Sequence, residues 1–435
     1  MPQHILIVGG GVGGTIVANL LARSLHRQEA EITLIDSTGK HVYMPGWLYL
    51  PFNQVSAESD QLIRPERDLL NQHVHLVTGD VQKIDTQNRE LHVRQSVGLD
   101  EIVGTGGASE AVYPYDYLVL ATGARLVPAD LPGLVEGEGK WHHFYSAEGS
   151  LQLRQALSTF EGGRIVITVG GIPYRCPPAL LEFTFLLDEW LRKRGLRDRT
   201  EIHYLYPLPR VFPSESVAEV ATPLLEERNV HSTIFFNTEA VDTERKIISS
   251  LEGEEIPYDL LVLVPPHRGA KVIEGSSLGD EQGWLPTDRA TLEVKGQSHI
   301  YALGDATDLP VSKSGSAAHF EAKVVAHRLI AEIRGEEPSN GEATYDGEVM
   351  CFLRDRTKRP SSSSTMNTRH AHHGPADITI WRSNSSTGRT GILCRRDWSE
   401  TCLTPLVSVR AIHSDGPHAE LPAISSPDSS RKSDT

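Results

Sequence analysis

Three glycines and one aspartate near the N-terminus have the types and spacing for phosphate chemistry. Gly9, Gly11 and Gly14 form a G-x-G-x-x-G pattern directly after an apolar run at residues 4–8 (HILIV). The first glycine permits a tight turn. The second lets backbone amides approach a pyrophosphate, and the third lets a following helix pack closely on the strand, with its N-terminus facing the anion. Asp36 follows 22 residues after Gly14, where a carboxylate can accept hydrogen bonds from ribose hydroxyls. Together these residues predict a dinucleotide site.

The site needs a strand at 4–8, a helix from about residue 12 to 24 and a second strand at 31–36 (EITLID). Further apolar runs at 115–121, 164–169, 202–206, 259–264 and 299–303 read as buried strands, with a helix from about residue 314. Strands alternating with helices imply parallel sheets with covered faces. The expected fold class is α/β, with two Rossmann-like, three-layer dinucleotide-binding domains, the second inserted in the first. The expected divisions are a first segment at 1–150, an insert at 151–285, a second segment at 286–353 and an irregular tail at 354–435.

A net charge of −15 argues against nucleic acid as a partner, because phosphate binding requires a basic field. Four cysteines are too few for a disulfide scaffold and suggest a reducing compartment, so a cysteine pair points to catalysis. No run of about 18 clean apolar residues occurs, so no membrane span is expected and peripheral attachment stays open.

The choice among dinucleotides rests on a resemblance. Ala121-Thr122-Gly123 closes a strand after the first half, and Leu303-Gly304-Asp305 closes one near the end. This pairing resembles the FAD-dependent pyridine nucleotide-disulfide oxidoreductase superfamily over about residues 4–353, and it implies that FAD is the cofactor and that Asp305 binds its ribitol or pyrophosphate. Within that superfamily, four segments are similar to the sulfide:quinone oxidoreductase and flavocytochrome c sulfide dehydrogenase group. They are Tyr43-Met44-Pro45-Gly46, Cys176-Pro177-Pro178-Ala179, Val264-Pro265-Pro266, and the stretch from Gly304 to Gly315 containing Lys313.

The resemblance implies roles. The loop bearing Pro45 would lie over the flavin, and Lys313 would place positive charge near the reduced ring. Cys176 and Cys351 would form the redox pair, opened by sulfide or a related sulfur nucleophile, with a quinone as electron acceptor. A cytoplasmic location, peripheral on the inner face of the cell membrane, goes with that acceptor. The chain also departs from the group. Residues 141–146 (WHHFYS) lack a third redox cysteine, and His143 there reads as a surface histidine rather than an acid or base. His319 is followed by Phe320 and Glu321 where another basic residue is expected. Residues 169–175 (VGGIPYR) lack a second G-x-G-x-x-G, which argues against NAD(P)H as donor; a type II NADH:quinone oxidoreductase-like flavoprotein is the alternative.

The composition changes at Arg354. Read from each codon's third base after back-translation, residues 354–367 and 377–397 permit the aromatic, amphipathic end of the group, which predicts a slip of reading frame there. Membrane contact would then be weakened, and a flavin-binding but catalytically impaired remnant becomes a further alternative. Cys394 and Cys402 are then expected to have no evolved role, and His370, His372 and His373 to form no metal site.

Overall fold

The computed structural model describes residues 1–56, 62–95, 109–338 and 343–349, together with the backbone of residues 409 and 410. Cys351 and nearly all of residues 354–435 lie outside the described residues, and so do the expectations placed on them.

A seven-stranded sheet runs in the order Ile300–Ala302, Tyr117–Leu120, Gln3–Val8, Ala30–Asp36, Val74–Asp85, Glu90–Gln95, Ser109–Pro114. The first five strands are parallel. Their middle portions read as unbroken apolar runs because both faces are covered. Ile5 and Ile7 point to one face with Val119, beneath helices Val12–Ser24 and Gly315–Arg334. Leu6 and Val8 point to the other with Leu118 and Leu120. The long helix Gly315–Arg334 starts where the Ser314 hydroxyl accepts from Ala317 N, and it stops at Gly335 in the left-handed region, φ +67°.

Strand Val74–Asp85 leaves the parallel layer partway and continues as an antiparallel meander with Glu90–Gln95 and Ser109–Pro114. The apolar pattern does not announce this meander. Its last strand is exposed or half-buried throughout, so it carries no run of apolar residues.

A second sheet, all parallel, orders Val230–Ile234, Thr200–Tyr206, Gly163–Val169 and Leu260–Val264. Side chains alternate across it. Ile165, Ile167, Ile202 and Tyr204 pack under helix Pro178–Lys193. Val166, Leu205, Leu261 and Leu263 pack against a three-stranded meander, Thr238–Asp242, Ile247–Ser250 and Glu255–Pro257. Helix, sheet and meander form the three layers expected for this region.

One buried arginine clamps the lower edge of that unit. Arg197 pairs with Asp188 at 2.7 Å and donates to the carbonyls of Thr200, Arg228 and Asn229. Asp188 is 1% exposed. Arg197→Ala would leave these carbonyls without their donor and Asp188 with Arg192 alone. The expected loss is about 3 kcal/mol of stability, read from urea unfolding monitored by circular dichroism.

Candidate active site

The two parallel sheets present their strand C-termini and helix N-termini at the site, and the glycine loop lies there. Gly9 has φ +107°, and a Cβ on it would stand 2.3 Å from the Ala121 carbonyl oxygen. A Cβ on Gly14 would stand 2.0 Å from the Gly9 carbonyl oxygen. Gly11 caps helix Val12–Ser24, and a Cβ there or on Gly123 would meet nothing within 4 Å. The loop is therefore tight behind and open in front, the shape that a pyrophosphate needs. Among the described residues, Thr122 Oγ1 is buried without a hydrogen-bond partner, an orphan that a bound ligand can satisfy.

Asp36 stands where expected but is partly engaged. Its Oδ2 accepts from Gly10 N at 2.9 Å, and its Oδ1 accepts from Thr38 N, Thr38 Oγ1 and Gly39 N. It braces the loop, with room for a further donor on Oδ2 alone. Gly304, φ +69°, opens the turn that carries Asp305, and its amide donates to Glu321 Oε2 at 2.5 Å. Glu321 is fully buried, and burial pushes its carboxyl up to about 7. Burial likewise raises Asp305, opposed by the charges of Arg175 and Lys313.

Cys176 reaches this turn from the other sheet. It lies between strand Gly163–Val169 and helix Pro178–Lys193, in the left-handed region at φ +50°. Its backbone amide donates to the Lys313 carbonyl at 2.6 Å, and its carbonyl accepts from Ala179 N. Cys176 thus stands at the N-terminal end of that helix. Lys313 is brought to the same place. The residue is 6% exposed, and its ammonium donates to the Asp305 and Thr307 carbonyls at 3.2 and 2.6 Å and lies 4.2 Å over the Trp284 ring. The lysine shapes the turn from inside, and burial pulls its pKa down.

The surrounding groups were not legible as site residues. Arg175 donates to His267 Nε2 at 3.2 Å, to the Tyr145 carbonyl and to Met44 Sδ, which draws the loop bearing Pro45 to the cysteine. His267 Nδ1 lies 2.8 Å from the Pro265 carbonyl, so Nδ1 carries the hydrogen and Nε2 accepts. The Tyr145 hydroxyl donates to the Arg175 carbonyl at 2.7 Å. The Tyr49 hydroxyl, close enough to Cys176 for their charges to interact, donates to Glu182 at 2.8 Å. Burial lifts the Glu182 carboxyl to about 7, a value suited to proton exchange near neutrality. Adjacency to Cys176 is the single sequence signal, and it points to Arg175 alone. His143 corrects the expectation of a surface residue: it is half-buried, stacked on Trp141, and accepts from Tyr145 N. Among the described residues no cluster of His, Cys, Asp and Glu could hold a metal ion.

Residues 3–326 match the pyridine nucleotide-disulphide oxidoreductase family. The chain belongs to this family. Among its relatives is the mitochondrial sulfide:quinone oxidoreductase of Dictyostelium discoideum, 27% identical over 357 residues that span 80% of this chain and 74% of the relative. A type II NADH:quinone oxidoreductase of Staphylococcus aureus is 24% identical over 370 residues, 81% of this chain and 87% of that one. The solved sulfide:quinone oxidoreductase of Aquifex aeolicus superposes with a TM-score of 0.65 at 21% identity, covering 81% of each chain, which shows the shared fold.

This oxidoreductase holds several histidines neutral. Burial pushes His142 and His143 down to about 4 and His267 to about 3, and Arg175 adds to the effect for the last two. His203 is lowered to about 4 in the same way. An unfolded chain takes up these protons near pH 6.5, where the folded one does not. The stability they contribute is complete above about pH 6.5 and is lost as pH falls toward 4. His41, raised by Glu66, acts in the opposite sense. The urea midpoint is expected to fall between pH 7 and pH 4.5, and His267→Gln is expected to flatten that slope. A midpoint constant over this range would contradict the assignment of neutral imidazoles.

Proposed function

We propose that this oxidoreductase binds FAD and takes electrons from sulfide, or a related sulfur nucleophile, through Cys176 and Cys351, delivering them to a quinone. The observation that carries the reading is the amide of Cys176 bonded to the carbonyl of Lys313. It supports the reading by bringing the backbone of Cys176 beside the turn that follows Gly304 and Asp305.

FAD, when bound, supplies a two-electron acceptor that a quinone can reoxidise. Gly9, Gly11, Gly14 and Asp36 would hold its adenosine diphosphate half. Ala121, Thr122, Gly123, Gly304 and Asp305 would line the remainder, with Pro45 over it. On this reading Cys176 and Cys351 would be joined as a disulfide in the oxidised protein. Hydrosulfide attacks one sulfur, a new S–S bond forms to the incoming sulfur, and the other cysteine leaves as thiolate. The helix N-terminus at Cys176 favours that charge. Glu182, poised near neutrality, takes up the proton that hydrogen sulfide loses, with Tyr49 between it and the cysteine. Lys313 and Arg175 add positive charge around Asp305.

The inserted unit argues against a nicotinamide donor. By position, Gly170, Ile172 and Arg175 replace the three glycines of the first loop. The register that pairs Ile167 with Tyr204, carried on, sets Pro207 where the first unit has Asp36. Tyr174 and Tyr206, both buried, bond hydroxyl to hydroxyl at 2.9 Å behind the loop. No described helix is long and apolar enough to cross a membrane, so contact with a membrane quinone would be peripheral, on the inner face of the cell membrane.

Anaerobic addition of sulfide to the flavin-loaded full chain is expected to bleach its visible absorbance, and NADH is expected to leave it unchanged. Cys176→Ala abolishes the sulfide response, and Glu182→Gln slows it about a hundredfold at neutral pH without releasing flavin. Bleaching by NADH alone would replace this reading with the NADH:quinone one. A yellow protein inert to both donors would be an impaired remnant.

A further inference from the structure

A buried cluster lies directly behind the glycine loop. Glu66, fully buried, accepts from the Thr15 hydroxyl at 2.6 Å, and its other oxygen pairs with His41 Nδ1 at 2.9 Å. The same His41 nitrogen lies 3.0 Å from the Gly10 carbonyl oxygen. Thr15 Oγ1 lies 2.8 Å from the Gly11 carbonyl oxygen and 3.2 Å from that of Gly10. His41 comes from the short strand Lys40–Val42, Glu66 from the turn Glu66–Leu69 and Thr15 from helix Val12–Ser24. Three separate elements converge on two carbonyl groups.

An anion-binding loop works only if its amides face the anion and its carbonyls face away. Here the Gly10 carbonyl faces His41 Nδ1, and the Gly11 carbonyl faces Thr15 Oγ1, whose single hydrogen it shares with Glu66. Burial adds a second demand. The Glu66 carboxyl has no access to water, and its two oxygens are engaged by Thr15 and by His41, whose pKa Glu66 raises against the effect of burial.

We propose that His41, Glu66 and Thr15 are positioning residues for the cofactor diphosphate, with His41 both holding the Gly10 carbonyl back and bonding Glu66. The inference rests on the FAD reading above. Its test is titration of the flavin-free full chain with FAD, followed by flavin fluorescence, with circular dichroism to verify the fold. His41→Leu is expected to weaken FAD binding about tenfold or more, since it removes the side chain bonded to the Gly10 carbonyl. The double variant His41→Leu/Glu66→Gln is expected to recover part of that loss, because no buried acid is left without its partner. If His41→Leu fails to fold, Thr15→Val is expected to weaken binding, and Thr15→Ser to restore it. A wild-type chain that binds no FAD removes the FAD reading and this inference together. A wild type that binds FAD, with His41→Leu or Thr15→Val equally tight, overturns the inference alone.

Discussion

The short hydrogen bond from the Cys176 amide to the Lys313 carbonyl is where the two halves of the molecule meet. Each sheet has its own core, and neither would carry the whole site. The bond joins the loop after one parallel strand to the turn after another. Around it, Arg175 ties the Tyr145 carbonyl, His267 and Met44 to the same corner, and Tyr145 returns a bond to the Arg175 carbonyl. A cysteine in the left-handed region is unusual, and the conformation is held by what surrounds it.

The two units solve one topological problem in two ways. In each, a buried parallel strand ends in a glycine and a helix begins nearby. In the first unit the loop stays open before Gly11, and its polar backing turns carbonyls inward. In the second, Ile172, Pro173, Tyr174 and Arg175 occupy the corresponding loop, and Cys176 stands just before the helix. A parallel sheet places both loops at the carboxyl ends of its strands, where α/β proteins bind ligands. The side chains at those ends then decide what each loop can take.

Much of this was legible along the chain. The apolar runs marked the parallel strands, because strands buried on both faces must be apolar throughout. The glycine spacing marked the first loop because Gly9 and Gly14 leave room for backbone that would otherwise clash, while Gly11 keeps the front open. The meander from Glu90 to Pro114 was not legible, since a half-exposed antiparallel strand carries few apolar residues. Lys313 read as a charge without partners in the protein, and the structure shows it buried under the turn, bonded to two carbonyls and lying over Trp284. His143 read as surface and is stacked on Trp141. Burial of a polar side chain depends on what packs over it, and that information lies far away in sequence.

By itself the sequence determined the α/β class and the place of the glycine loop. These follow from periodicity and from contacts within about forty residues, which a linear chain records directly. Only the tertiary structure decided that Cys176 meets Lys313, that Tyr49 reaches Glu182, and that Thr15, His41 and Glu66 converge behind the loop. Those pairings join elements separated by tens to more than a hundred residues. They exist because sheet packing brings the strand ends together, and no local preference encodes them.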